Sequence, residues 1–362
     1  MKLKKASSLF FLFLIYNFLS ATEIKLIRKI DISQKEKYLN ISDLAVTDDE
    51  VFIFTDAKES NIKLYNNKGE IIKIWGQRGP GPDELNFPSK CDFNSPFFAL
   101  LDTGKMRVYI YRYVKDNLLL LKKLNSILCV GCVSPIKIYK KDIIIASYTR
   151  DKNNKKYNLY MKNFNGKNTR YLLPHFLKWG FKSEGEYQRE YEIIPKYATP
   201  FVDFDVAENC VYYAWEGLLK IIKINLETKE IHFFGKETEN YTRPKPTKKI
   251  VKAFEERKVK LIEKEREKMS WVIGVFADKD FIGVLYNNFD KKTSLWKAIC
   301  QFYKPDGEFM GEYHLPDAVD YSIYGPKHFY DKINNNLYIL SRKLNEESYL
   351  DEYQIMKYQI LK

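Results

Sequence analysis

Four histidines, five cysteines and a scatter of aspartates are the residues of this chain with obvious chemical capacity. His175, His232, His314 and His328 stand far apart, and no two have the spacing of paired metal ligands. Cys129-Val-Gly-Cys132 is the one paired-thiol motif. A four-cysteine zinc site needs a second pair, and none lies nearby. A redox CxxC opens a helix, whereas this one precedes a strand pattern. A local disulfide or two unconnected thiols fits it. The glycine-rich run from Gly76 to Gly81 is neither a nucleophile elbow nor a phosphate loop, because it joins two strands rather than a strand to a helix. No catalytic residue is assigned from these patterns, so function has to be sought in the elements that position polar groups.

Those elements repeat. Residues 51–76 and 210–235 align without a gap, and both windows end in glycine, Gly76 and Gly235. Val51, Ile53, Ile62, Tyr65, Ile72 and Ile74 fall on Cys210, Tyr212, Ile221, Ile224, Ile231 and Phe233. The same register sets Cys300 on Ile62, so Cys210 and Cys300 are expected to behave as buried apolar residues. The strand of Val51–Thr55 recurs near 97, 143, 210, 281 and 337. Repeats of this length are supersecondary units that bury their faces on one another.

Each unit reads as four short strands; in the first they are Leu44–Val46, Val51–Thr55, Ile62–Tyr65 and Ile71–Trp75. Asp48-Asp49 and Asn66-Asn67-Lys68-Gly69 supply turn chemistry between them. The second strand is apolar on both faces, which requires cover on both sides. The expected fold is all-β: a six-bladed β-propeller of four-stranded antiparallel blades. Ile24–Ile32 should close the ring by completing the last blade beside Tyr353–Leu361, removing an exposed edge. A seven-bladed ring with one degenerate blade, or two β domains, is the alternative.

Gly76–Pro88 (GQRGPGPDELNFP), followed by Leu101–Tyr111 (LDTGKMRVYIY), resembles the NHL-type repeat, with Glu84-Leu85 where that repeat usually has Glu-Phe. The chain is also similar to exported bacterial six-bladed propeller proteins of unassigned function. The resemblance implies a propeller with its site on one face. Relatives in this group include lyases with a histidine-bound metal and calcium-dependent lactonases. Neither set of site residues can be matched to positions in this chain.

Lys2, Lys4 and Lys5, the apolar run Leu9–Leu19 and the small residues Ser20-Ala21 make residues 1–21 an export signal, with cleavage expected after Ala21. An uncleaved anchor is the alternative. Thr22 stands where a lipoprotein box needs cysteine, so no lipid anchor is expected. Residues 22–362 then form the propeller domain, a monomer in the periplasm, on the cell surface or secreted. The net charge of +13 is spread through every segment. Diffuse charge on an exported chain argues against nucleic acid as a partner.

Two long insertions join successive blades: Leu173–Pro200 and Gly235–Trp271. The second carries Ile250, Phe254, Leu261 and Ile262 at helical spacing, which predicts one amphipathic helix over 246–270 with Thr247 as N-cap. Blade-to-blade connections share a face with the loops between second and third strands. The position after each second strand then gives a ring on that face: Asp56, Asp102, Tyr148, Trp215, Tyr286 and Arg342. Aromatic faces with Arg and Asp suit a carbohydrate, peptide or protein ligand. Three functions follow: a binding module, a metal-dependent hydrolase or lyase in the central channel, or a scaffold docking partners through the helix. No cofactor is expected under the first; the second would gather carboxylates such as Asp56 and Asp102 on a divalent cation.

Overall fold

The second strand of the first repeat, β3 (Phe52–Asp56), is buried at all five positions. Neighbouring sheets cover both its faces: Phe52, Ile53 and Phe54 share one core cluster with Phe93 and Phe98 on one side and Tyr338 and Ile355 on the other. Phe52 meets Tyr338 edge to face at 5.9 Å. A strand so enclosed can be apolar throughout.

A computed structural model describes residues 23–32, 40–81, 84–125, 127, 134–174, 203–215, 218–244, 247–320, 327–344 and 351–361. Their strands form six four-stranded antiparallel sheets, the blades of a propeller. Blade 1 holds β2 (Ile41–Val46), β3, β4 (Asn61–Tyr65) and β5 (Ile71–Trp75). Blade 2 holds β6 (Pro88–Asn94), β7 (Phe97–Asp102), β8 (Arg107–Val114) and β9 (Asn117–Leu124). Blade 3 holds β10 (Ile136–Tyr139), β11 (Asp142–Arg150), β12 (Lys156–Asn163) and β13 (Thr169–Pro174). Blade 4 holds β14 (Asp203–Ala207), β15 (Cys210–Trp215), β16 (Leu218–Asn225) and β17 (Ile231–Phe234). Blade 5 holds β18 (Trp271–Ala277), β19 (Ile282–Asp290), β20 (Leu295–Tyr303) and β21 (Phe309–Asp320). Blade 6 holds β22 (Lys327–Asp331), β23 (Asn336–Leu344), β24 (Asp351–Leu361) and, from the other end of the chain, β1 (Glu23–Asp31).

The expected closure is present. β1 pairs antiparallel with β24 from Glu23↔Leu361 to Asp31↔Gln354. The first strands of the blades touch in sequence, β2, β6, β10, β14, β18 and β22, and β22 returns to β2. They ring a central channel.

The glycines that end the two aligned windows have a steric reason. Gly76 has φ +79° and Gly235 φ +142°, and a Cβ on Gly235 would lie 2.3 Å from the Leu219 carbonyl oxygen. Only glycine turns the chain there without strain.

The helical insertion differs from expectation. Two short helices replace one: α1 (Lys248–Glu255) and α2 (Val259–Arg266). Arg257, at φ +54°, breaks the run. Thr247 does cap α1, its Oγ1 accepting the Ile250 N–H at 3.2 Å. Ile250 is buried as the apolar spacing implies, and Ala253, a turn later in the same helix, is buried as well. In α2, however, Glu265 and Arg266 are buried while Leu261 and Ile262 are partly exposed. Arg266 stacks on the Trp271 ring at 3.8 Å and its carbonyl accepts the indole N–H at 3.0 Å. Lys249 and Lys268 pair with Glu265 at 3.0 and 2.8 Å. Polar partners thus dock α2 where apolar contact was expected.

Candidate functional site

Five of the six innermost strands carry charge, set among alternating apolar residues in four of them and as an adjacent pair in β22. They supply Asp43 (β2), Lys90 and Asp92 (β6), Lys137 (β10), Asp203 and Asp205 (β14), and Lys327 and His328 (β22). In β18 the corresponding stretch has Gly274 instead. Alternation in the other four charged strands parts apolar from polar side chains, whereas adjacent Lys327 and His328 project from opposite faces of β22.

Most of these charges hold one blade to another. Asp43 accepts the Cys91 N–H at 3.0 Å and pairs with Lys90 at 3.6 Å. Asp92 accepts the Ile138 N–H at 2.8 Å and pairs with Lys137 at 3.3 Å. Asp203 and Asp205 accept the N–H groups of Val275 and Ala277 at 3.2 and 2.8 Å. In each case a carboxylate on one inner strand satisfies backbone on the next, where water is scarce.

Two contacts span further. His328 Nε2 lies 3.0 Å from Asp203 Oδ2, linking blade 6 to blade 4 past blade 5. A Cβ on Gly274 would sit 2.0 Å from His328 Cε1, so the missing side chain makes the passage. Lys332, just after β22, also reaches from blade 6 to blade 4, pairing with Asp205 at 3.0 Å.

The belt sets the protonation of its members. Burial would raise Asp203, but the hydrogen bond and charge of His328, with Lys137 and Lys90 beyond, hold it below the ordinary carboxylate value. Burial pushes Asp92 up to about 6 against the pull of Lys137 and the Ile138 N–H. Burial alone would lower Lys137; Asp92, Asp205, Asp203 and Asp43 outweigh it and keep the ammonium charged. Lys327 is the exception. Burial first, then the charges of Lys90 and Arg342, bring it down to about 8, with Asp43 and Asp320 opposing.

The ring nominated from sequence has the following places. Asp56 is fully buried, pairs with buried Lys63 at 3.1 Å and accepts the N–H groups of Lys58 and Glu59. Asp102 is also fully buried and accepts N–H bonds from Asn86, Phe87 and Lys105 at 2.8 to 3.1 Å. It thereby fixes the Gly76–Pro88 junction, which Lys105 braces again through the carbonyls of Gly81 and Glu84. Trp215 and Tyr286 are buried; Tyr286 meets Tyr241 edge to face at 5.3 Å. Burial pushes the Tyr286 phenol up. Tyr148 lies on β11. Arg342, on β23, pairs with Asp320 at 2.9 Å and approaches Asp351 at 3.9 Å. The charge of Arg342 acts on Lys327 at the channel mouth and helps to lower its value.

His232 and His314 are exposed on β17 and β21. Cys300 is buried as expected, but Cys210 is only partly buried at the start of β15. His175, Cys129, Cys132, most of the Leu173–Pro200 insertion and the 1–21 segment lie outside the described residues. Among the described residues no group of three His, Cys, Asp or Glu is placed to hold a metal ion.

Each first strand starts at the face of the blade-to-blade connections. Lys327 opens β22, and Asp43 and Lys90 are the third residues of β2 and β6, so these groups lie toward that mouth. Among the described residues, the opposite face, formed by turns between first and second strands, includes the following clefts. One of about 490 Å³ is lined by Asp48, Asp49, Glu50 and Lys357 at the closure seam. One of about 390 Å³ is lined by Glu208, Asp278, Lys279 and Lys332.

No protein-family model and no curated protein matches the chain. Solved structures do. A member of the DUF4221 family from Bacteroides vulgatus is similar at a TM-score of 0.62 and 11% identity, over 94% of this chain and 99% of that one. An exported protein from Bacteroides fragilis is similar at 0.56 and 13% identity, over 95% of this chain and 96% of that one. At these identities the likeness is one of fold: a six-bladed propeller.

Proposed function

We propose that the chain is an exported propeller that binds a carbohydrate, peptide or protein ligand through the face of the blade-to-blade connections. The observation that carries this is the charge at that mouth. Lys90, Lys327 and Arg342 gather there from three strands of two blades, and among the described residues Lys327 has no carboxylate within ion-pair distance. An unpaired ammonium is costly to keep unless it meets something. Arg342 is the member of the sequence-derived ring that would lend its charge to the ligand site; Asp56, Asp102, Trp215 and Tyr286 would shape the walls behind it. Export rests on the signal pattern of residues 1–21, and the Bacteroides fragilis neighbour, itself described as exported, agrees with it.

The test is a glycan and peptide array probed with residues 22–362, followed by titration of each hit against R342A and K90A. Affinity should fall about tenfold or more in one or both. Hits that bind both variants unchanged would move the site elsewhere, and no hit on either array would reject the binding function.

One observation favours a hydrolase or lyase as a second reading. His328 is oriented by Asp203 inside the channel, and such a pair can hold and pass a proton. Turnover of an array-selected ligand that stops in H328Q would support it; a ligand recovered intact would not.

A further inference from the structure

The binding function proposed above leaves the ligand's chemistry open, and the surroundings of Lys327 narrow it. Lys327 is partly buried at the start of β22. The charged groups whose fields reach it come from four other strands: Asp43 on β2, Lys90 on β6, Asp320 on β21 and Arg342 on β23. Next along its own strand, His328 is engaged with Asp203, and the adjacent part of β18 offers Gly274, which has no side chain.

These groups do not balance. Lys90 is satisfied by Asp43, and Arg342 by Asp320. Each carboxylate is therefore committed to another cation, and Asp43 also accepts a backbone N–H from Cys91. Lys327 is left with one full positive charge, three N–H donors and no acceptor within ion-pair distance among the described residues. A cation in a partly dry channel, flanked by two further cations, attracts an anion more strongly than a surface lysine does.

We propose that Lys327 is the seat of an oxyanion, a carboxylate or a phosphate or sulfate group carried by the ligand, with Lys90 and Arg342 flanking it. The anion completes the pairing that the fold leaves open. Lys327 is the direct contact. Lys90 and Arg342 contribute long-range attraction while keeping their own carboxylates. Because the free ammonium titrates near pH 8, an arriving anion should raise that value, and binding should take up protons from solution at mildly alkaline pH.

The experiment measures thermal stabilisation by sodium phosphate, sodium sulfate and sodium acetate, each against sodium chloride at equal ionic strength. Wild type, K327M and K327R are compared at pH 7 and again above pH 8. At least one of the three anions should stabilise wild type over chloride, since a ligand of the native state raises its stability by mass action. The apparent affinity should fall about tenfold or more in K327M and largely return in K327R. In wild type the effect should fade above pH 8; in K327R it should persist there. K327M loses an unpaired charge and should fold; if it does not, K327Q replaces it. Equal anion affinity in wild type and the neutral variant, or no stabilisation by any of the three anions, overturns the inference. If the inference fails while array hits still lose affinity in R342A, the binding face stands and its ligand lacks an anionic group there.

Discussion

His328 of the sixth blade donates to Asp203 of the fourth at 3.0 Å, through the space that Gly274 of the fifth leaves empty. One residue without a side chain thus lets two blades that are not neighbours share a polar contact. The pair also ties Asp203 to the Val275 N–H of the blade between them. The channel is cross-linked as well as lined.

A methyl group at position 274 should therefore be felt at His328. Gly274→Ala would place its Cβ 2.0 Å from His328 Cε1. Displacing the ring should cost about 1–3 kcal/mol, the usual range for overpacking. In an H328A background the same change should cost markedly less, and urea denaturation of the four proteins measures the coupling. Equal costs in both backgrounds would show that the two positions do not meet.

Removing His328 alone should act through Asp203. The folded-state value of Asp203 is depressed, so its pairing contributes stability above the unfolded carboxylate value near pH 4 and loses it as pH falls through the lower folded value. H328A should destabilise the protein by about 2–3 kcal/mol at neutral pH and flatten the acid side of its stability profile. A parallel downward shift at every pH would contradict this.

Lys327 carries the opposite sign. Its folded value is lowered from 10.5 to about 8, so between those pH values the unfolded chain binds more protons and stability should rise with pH. Below pH 8 both states are protonated and the penalty is constant. K327M should therefore be more stable than wild type at pH 7, by about 1–3 kcal/mol after allowing for channel water. It should also lack the alkaline rise. A less stable K327M would mean the ammonium has a native partner.

Asp102 accepts three backbone N–H groups that define the Gly76–Pro88 junction. D102A should cost about 2–5 kcal/mol, because those donors are left unpaired in a buried site. D102N, which keeps an acceptor, should cost less. Calorimetric melting of both variants checks the order.

Much of the fold was legible in the sequence because apolar spacing repeats. The match of 51–76 with 210–235 fixed the strand register, and the unmatched segment Ile24–Ile32 found its place as β1 beside β24. The helical insertion was legible as helix but not as two helices. Arg257 takes a left-handed conformation that nothing in its residue type announces, and the buried Glu265 and Arg266 earn their place through Lys249, Lys268 and Trp271, contacts that periodicity does not encode. The site was less legible. Register led to the residues after each second strand, where Asp56 and Asp102 satisfy turn N–H groups and Trp215 and Tyr286 are buried. The stronger signal lay one strand earlier. A charge set among alternating apolar residues recurs in S-D-L-A-V, S-K-C-D-F, I-K-I and D-F-D-V-A, and K-H-F-Y adds an adjacent pair. Each motif alone reads as an ordinary half-buried strand; only the ring brings them to one axis.

The most direct test of the binding face is hydrogen exchange of residues 22–362 with and without an array-selected ligand. Protection should appear at the starts of β2, β6 and β22, around Asp43, Lys90 and Lys327. Protection confined instead to the opposite-face turns, at 47–50, 207–209, 278–280 and 332–335, would contradict the account.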